Sequence, residues 1–228
     1  MTYICGDLHG SYNNATEEKF LKGLNEDDIL IVLGDFGWTW NPSFVEKFSL
    51  PCITLFIDGN HENFDILDNL EEKEMYGSKV GVLKDRVYHL KRGNMYTIND
   101  KKYFAFGGSA SIDKGYRLPY LSWWPHEVPN GEEFDHAMET LKENDYKFDY
   151  LLSHTASYET VIEMMRYPTR FNDPTEVMLS EIEEAIDANG GSYEHNFFGH
   201  HHVYGHSDKH TAMYCQVYCV ETGKTLFF

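Results

Sequence analysis

The chain has 228 residues, of which 42% are hydrophobic, and a formal net charge of −18. That length carries one domain with a substantial core, and the charge argues against broad binding to duplex DNA or to anionic membranes. No apolar stretch reaches the length of a membrane-spanning helix. The first residues show neither the basic region nor the small-residue cleavage site of a signal peptide, so a cytoplasmic location is expected. The four cysteines, Cys5, Cys52, Cys215 and Cys219, form no C-x-x-C pair. They read as reduced thiols used as small hydrophobes, with Cys215 and Cys219 on one face of a strand.

Strand-like and helix-like runs alternate, which points to an α/β protein. Residues 2–6 form a short strand. Residues 14–24 form a helix with Ala15, Phe20, Leu21 and Leu24 as core contacts. Residues 29–33 are continuously apolar, as in a strand covered on both faces. Asn41-Pro42 starts a helix, with Asn as cap and Pro at the first helical position. A second buried strand spans 53–57. Short strands follow at 87–90, 96–98 and 103–106, the last two joined by a turn at Asn99-Asp100. Residues 132–143 are helical and 148–152 are a strand. Asp173-Pro174 starts a helix that ends near Gly190, with Met178, Ile182, Ala185 and Ile186 at helical spacing. A strand at 196–198 and a hairpin over 213–228 complete the chain. Two stretches read as irregular. Residues 107–133 are treated as a substrate-loop insertion in a single domain over 1–228, and 155–174 carry Arg166 and Arg170. Either suits a wall beside a substrate.

The polar residues collect behind strands. Asp7 and His9 follow the first strand, Asp35 the second, and Asn60 with His61 the third. His154 follows the strand at 148–152, and His200 with His202 the strand at 196–198. In layered α/β proteins the carboxyl ends of strands line the active-site crevice, so residues scattered in sequence converge there. On an extended backbone, residues two apart point the same way. Asp7 and His9 then reach one ion together, and His200 and His202 reach a common centre with His201 turned away. Glycines before Asp7, Asp35, Asn60 and His200 permit close backbone approach. The donors are oxygen and imidazole without thiolate, which suits manganese first and iron or zinc next. Asp35 is the candidate bridge. Two cations about 3.5–4 Å apart generate hydroxide at neutral pH and neutralise a phosphoryl group.

The order Gly-Asp-x-His-Gly, Gly-Asp, Gly-Asn-His-Glu, His and Gly-His-x-His, spanning residues 6–202, resembles the calcineurin-like metallophosphoesterase superfamily. The resemblance implies a two-sheet β-sandwich flanked by helices, in four layers, helix–sheet–sheet–helix. It implies that Asp7, His9 and His202 bind one ion, that Asn60, His154 and His200 bind the other, and that Asp35 bridges them. It implies that His61 contacts the substrate phosphate or protonates the leaving group, the nucleophile being metal-bound hydroxide. Asp35, Asn60 and His61 are thus the catalytic candidates. An imidazole suits the acid role on chemical grounds as well.

The chain departs from the protein Ser/Thr phosphatase branch at Trp38 and Thr39, where that branch has Asp and Arg. The missing Asp pairs with the histidine of the Asn-His motif, and the Arg binds phosphate. Here Asp58 or Glu62 is the candidate partner of His61, and Arg117 the candidate phosphate contact. The run Gly-Gly-Ser-Ala-Ser-Ile-Asp-Lys-Gly-Tyr-Arg is similar to one in small bacterial and phage members. His89, His136, His195 and His210 read as structural, as does His126, while His206 is placed to support His202. The expected function is metal-dependent hydrolysis of a small or nucleotide-like phosphate ester, by a phosphomonoesterase or a phosphodiesterase. The alternative is a scaffold that keeps the fold without the chemistry. Monoester and diester substrates, and any oligomeric state, are indistinguishable at this level.

Overall fold

A computed structural model describes residues 1–37, 42–165 and 173–228. Trp38, Thr39, Asn41, Arg166 and Arg170 lie outside the described residues. The strands form two mixed sheets. The first contains β1 (Thr2–Cys5), β2 (Ile29–Val32), β3 (Ile53–Phe56), β4 (Glu71–Met75), β5 (Ser78–Lys84) and β6 (Val87–Leu90), with β13 (Gln216–Cys219) and β14 (Lys224–Phe227). Its order is β14-β13-β1-β2-β3-β6-β5-β4. The second contains β7 (Asn94–Ile98), β8 (Lys101–Phe106), β9 (Tyr150–Ser153), β10 (His195–Phe198), β11 (Gly205–His206) and β12 (His210–Ala212), in the order β11-β12-β10-β9-β8-β7.

Alternation along the central strands builds the layers. Ile4, Ile31, Leu55, Leu152 and Phe197 face inward and form the core between the sheets with Tyr96 and Tyr103. Tyr3, Leu30, Val32 and Phe56 face outward and pack with Leu21 and Leu24, from or beside α1 (Ala15–Lys22), and with Val45 of α2 (Pro42–Lys47). On the far side Phe104, Phe106 and Leu151 pack on α4 (Gly131–Glu143) and α6 (Pro174–Ala188) through Leu141, Leu179 and Ile182. Each such side chain, fully buried, contributes about 1.5–3 kcal/mol. The four-layer sandwich expected from the motifs is therefore observed. The caps follow chemistry too: Asn14 accepts from the first-turn amides of α1, Asn130 forms a capping box with Glu133, and Asp173 caps α6. Asn99 and Asp100 both adopt positive φ, as a tight hairpin turn requires.

Several expectations need correction. Ala15 is exposed, and Glu17 is the buried residue on that turn of α1. Met178 packs partly buried against the core as its spacing suggests, and its neighbour Leu179 is the fully buried residue of that turn of α6. Cys215 precedes β13 with φ 55°, so it does not share a strand face with Cys219. The stretch after His154 is not wholly irregular, since it contains α5 (Tyr158–Met165). Strand β4 gave no signal, because Glu71, Glu72, Lys73 and Glu74 are all exposed on a sheet edge. Charge on an edge strand discourages further pairing. The short helix α3 (Phe64–Leu67) follows the third strand closely.

Behind the strand ends, Asp58 is buried and paired with Arg92 Nε at 2.8 Å and His89 Nε2 at 3.0 Å. Arg92 also donates to Glu133 and to the carbonyls of His126 and Glu127, tying residues 126–133 to the first sheet. His126 is held between Asp68 (2.9 Å) and Glu133 (3.1 Å). Hydrogen bonds to Asp68, then to Glu133, raise its pKa to about 9. A raised folded-state value makes this contribution to stability complete below the unfolded pKa of about 6.5, and it is lost as pH rises through about 9. The difference in unfolding free energy between the native chain and His126→Gln should therefore shrink between pH 6.5 and pH 10, as read by urea denaturation. A constant difference would mean the ring acts by packing alone.

Candidate active site

All seven proposed metal ligands sit just past strand ends, at one end of the sandwich. Asp7 and His9 follow β1, Asp35 follows β2, and Asn60 follows β3; from the second sheet, His154 follows β9 and His200 with His202 follows β10. The sheets are joined here. His154 Nδ1 donates to the Leu33 carbonyl at 2.7 Å, and the Gly108 amide donates to the Asp58 carbonyl at 2.8 Å.

The side chains form two groups. In one, His9 Nε2 lies 2.6 Å from His202 Nε2, and Asp7 Oδ2 lies 3.3 Å from His202 Nε2 and 3.8 Å from His9 Nε2. In the other, Asn60 Oδ1 lies 3.1 Å from His154 Nε2 and 3.0 Å from His200 Nδ1. Asp35 stands between them. Its Oδ2 is 3.7 Å from His9 Nε2, and its Oδ1 is 3.4 Å from His154 Nε2. The set of seven is thus brought together. His200 and His202 do not share a centre, however: each ring serves a different group. The backbone is not extended here, since His9, Asp35, His200 and His202 take positive φ of 48°, 48°, 66° and 51°. Such conformations cost of order 1–3 kcal/mol each and gather at functional sites. The neighbouring glycines are needed for space. A Cβ at Gly59 would stand 2.2 Å from Asp35 Oδ1, and one at Gly199 would stand 2.1 Å from Asp7 Oδ1.

Electrostatics follow from burial. Asp7 and Asp35 are 0% and 1% exposed. Burial alone would raise the Asp35 carboxyl, but His154 and His61 more than offset it and hold it well below the usual range. Burial would likewise lower His154, yet Asp35 and Asp7 hold it up at about 10. Burial pushes His200 well down, with the charge of His154 adding to it. Burial first, and then the charge of Arg117, lowers His61 to about 4 against the pull of Asp35.

His61 Nε2 is 3.9 Å from Asp35 Oδ2, so it too borders the first group. Neither Asp58 nor Glu62 is its partner. Asp58 is committed to Arg92 and His89, and Glu62 Oε1 accepts from the Phe36 amide at 2.7 Å. Burial and the charge of Asp35 raise Glu62 to about 8, so it carries a proton at neutral pH. Arg117 does meet His61. Its Nη1 is 2.6 Å from Nδ1 and its Nη2 is 3.0 Å from Nε2, while Asp113 holds the guanidinium from behind at 2.7 and 2.9 Å. His206 does not join the site: it bonds Thr211 and stacks on His195. Trp124 is buried in the core, and Tyr116 and Tyr120 are exposed. A cavity of about 540 Å³ lies beyond Asp58, lined by His89, Arg92, His126 and His136, and shares no candidate ligand with the two groups.

Sequence reasoning missed Ser109, Ser111, Asp113, Glu127 and Asp173 as parts of this site. The signal was present in the run 107–117, whose serines stand two apart, but each hydroxyl acquires meaning only through carboxylates distant in sequence.

The site can be set beside known proteins. Among solved structures, the chain is similar to the crystal structure of a phosphopantetheinyl hydrolase from Mycobacterium tuberculosis, at 13% identity and a TM-score of 0.43 over 94% of this chain and 88% of that one. Comparison with curated protein sequences finds no match. No helix among the described residues is long and apolar enough to cross a membrane. The family profile described as calcineurin-like phosphoesterase matches residues 2–204, a range that spans most of the chain and includes the seven ligand candidates. The chain belongs to the calcineurin-like phosphoesterase family.

Proposed function

We propose that the two side-chain groups hold a pair of divalent cations, bridged by Asp35, and that the chain hydrolyses a small or nucleotide-like phosphate ester there. The observation that carries the reading is the convergence of Asp7, His9 and His202 on one side of Asp35 and of Asn60, His154 and His200 on the other. The donor set fits such ions. It offers oxygens and imidazole nitrogens without thiolate, a combination that suits manganese before iron or zinc. Asp35 and Asp7 favour a proton on His154, and a cation held there would displace it from Nε2. Bound divalent ions supply charge to phosphoryl oxygens and acidify water so that it attacks phosphorus.

The chain's own groups do the rest. Arg117, clamped by Asp113, has its other N–H groups against His61 and the Ser122 carbonyl, and would offer its fork to phosphoryl oxygens by giving up the His61 contacts. It would replace the phosphate contact that the residue at 39 does not provide. His61 sits between Arg117 and Asp35, where a ring N–H reaches a leaving oxygen. Its low pKa favours a neutral ring donating one hydrogen bond over a fully charged acid. Tyr116 and Tyr120, exposed on the loop that carries Arg117, offer aromatic surface to the organic part of the ester. The completeness of the ligand set weighs against a silent scaffold.

Two experiments test this. Hydrolysis of p-nitrophenyl phosphate and bis-p-nitrophenyl phosphate should depend on added manganese and stop with chelator, and the preferred ester then separates monoesterase from diesterase. Chelator-resistant turnover would contradict the reading. His61→Ala should keep the bound metal but slow turnover by roughly 10²–10³-fold, as loss of one preorganised hydrogen-bond donor does. An unchanged rate would reduce His61 to a residue that packs beside Asn60.

A further inference from the structure

Ser109 and Ser111 leave the end of β8 and are 0% and 1% exposed. Each hydroxyl lies between a buried carboxylate and one of the proposed ligands. Ser109 Oγ donates to Asp173 Oδ2 at 2.5 Å and lies 3.1 Å from His200 Nε2. Ser111 Oγ donates to Glu127 Oε2 at 2.6 Å and accepts from Asn60 Nδ2 at 2.9 Å. The carboxylates are themselves held. Asp173 accepts from the amides of Ala110 and Thr175, both at 2.8 Å, and Glu127 accepts from the Ser111 amide at 2.8 Å.

A serine hydroxyl has one proton. Once it is given to a carboxylate, the oxygen only accepts on its other side. His200 must then carry its proton on Nε2, and Asn60 must turn its amide nitrogen toward Ser111. What remains free on each is a lone pair, on His200 Nδ1 and on Asn60 Oδ1, and these two atoms stand 3.0 Å apart. His154 is set in the same sense by the Leu33 carbonyl, which takes the proton of Nδ1 and leaves Nε2 facing Asn60. We infer that Asp173–Ser109–His200 and Glu127–Ser111–Asn60 are paired positioning relays, which fix the tautomer of His200 and the amide orientation of Asn60 for one cation of the pair. The inference rests on the two-cation reading above. Neither serine touches the reacting atoms. Each acts through a ligand, as hydrogen-bond partners behind metal-bound imidazoles and carboxylates do. The other group differs: among the described residues, no hydrogen bond joins Asp7, His9 or His202 to the side chain of either serine.

The test is a calorimetric titration of the full chain with manganese chloride, for the native protein and for Ser109→Ala and Ser111→Ala. The native chain should take up two ions. Each variant should keep the affinity for one ion and bind the other roughly 10–100-fold more weakly. A parallel measurement needs no metal. Imidazole ¹⁵N spectra should show His200 protonated on Nε2 in the native chain, with a shift toward Nδ1 protonation in Ser109→Ala. Glu127→Gln preserves shape but places an amide donor against Ser111, and should reproduce the Ser111→Ala loss in a folded protein. Failure of the native chain to bind two ions would overturn the two-cation reading. Two-ion binding by the native chain with both affinities unchanged in every variant, or weakened equally, would overturn the relays alone, as would an unaltered His200 tautomer in Ser109→Ala.

Discussion

Two carboxylates, Asp7 and Asp35, lie side by side in the interior with less than 2% of either exposed. An ionised carboxylate removed from water costs several kcal/mol unless opposite charge and hydrogen bonds compensate. Much of the architecture answers that demand. Three histidines approach Asp35, the His61 amide donates to its Oδ1 at 2.9 Å, and the His200 amide donates to both oxygens of Asp7. The glycines at 59 and 199 are small because these same oxygens press against them. The left-handed backbone at His9, Asp35, His200 and His202 turns the side chains back toward the carboxylates instead of along their strands. A pair of divalent cations at the proposed site would meet the same demand with more charge at shorter range.

The sheets make this arrangement affordable. Ile4, Ile31, Leu55, Leu152 and Phe197 pack in one core between the sheets. That core sets the ends of β1, β2, β3, β9 and β10 beside one another, so each strand delivers its polar residue to the same rim. Asp58, buried with Arg92 and His89, lies just behind Asn60 and anchors residues 126–133 to the first sheet. Through Glu127 that anchor reaches Ser111 and hence Asn60. The fold and the site are therefore coupled by a short series of hydrogen bonds.

Much of this was legible in the sequence because it is local. Apolar runs such as Ile29-Leu30-Ile31-Val32-Leu33, most of them followed by Gly and a candidate ligand residue, announce both a covered strand and what it carries. Asn14 and Asp173 announce helix starts for equally local reasons. What stayed hidden depends on distant partners. The sorting of His200 and His202 into different groups was implied by the family resemblance but not by residue spacing, because it follows from backbone angles that spacing does not encode. The pairing of Asp58 with Arg92 instead of His61 joins residues that follow different strands, β3 and β6. Ser109 reads as an ordinary loop serine until Asp173 is brought against it. Strand β4 is charged at every position but Met75, and pairing with β5 alone defines it.

The measurement that tests the central claim most directly is anomalous diffraction from crystals soaked in manganese. The account predicts two peaks about 3.5–4 Å apart, one among Asp7, His9 and His202, the other among Asn60, His154 and His200, with Asp35 between them. A single peak, or peaks away from these side chains, would contradict it.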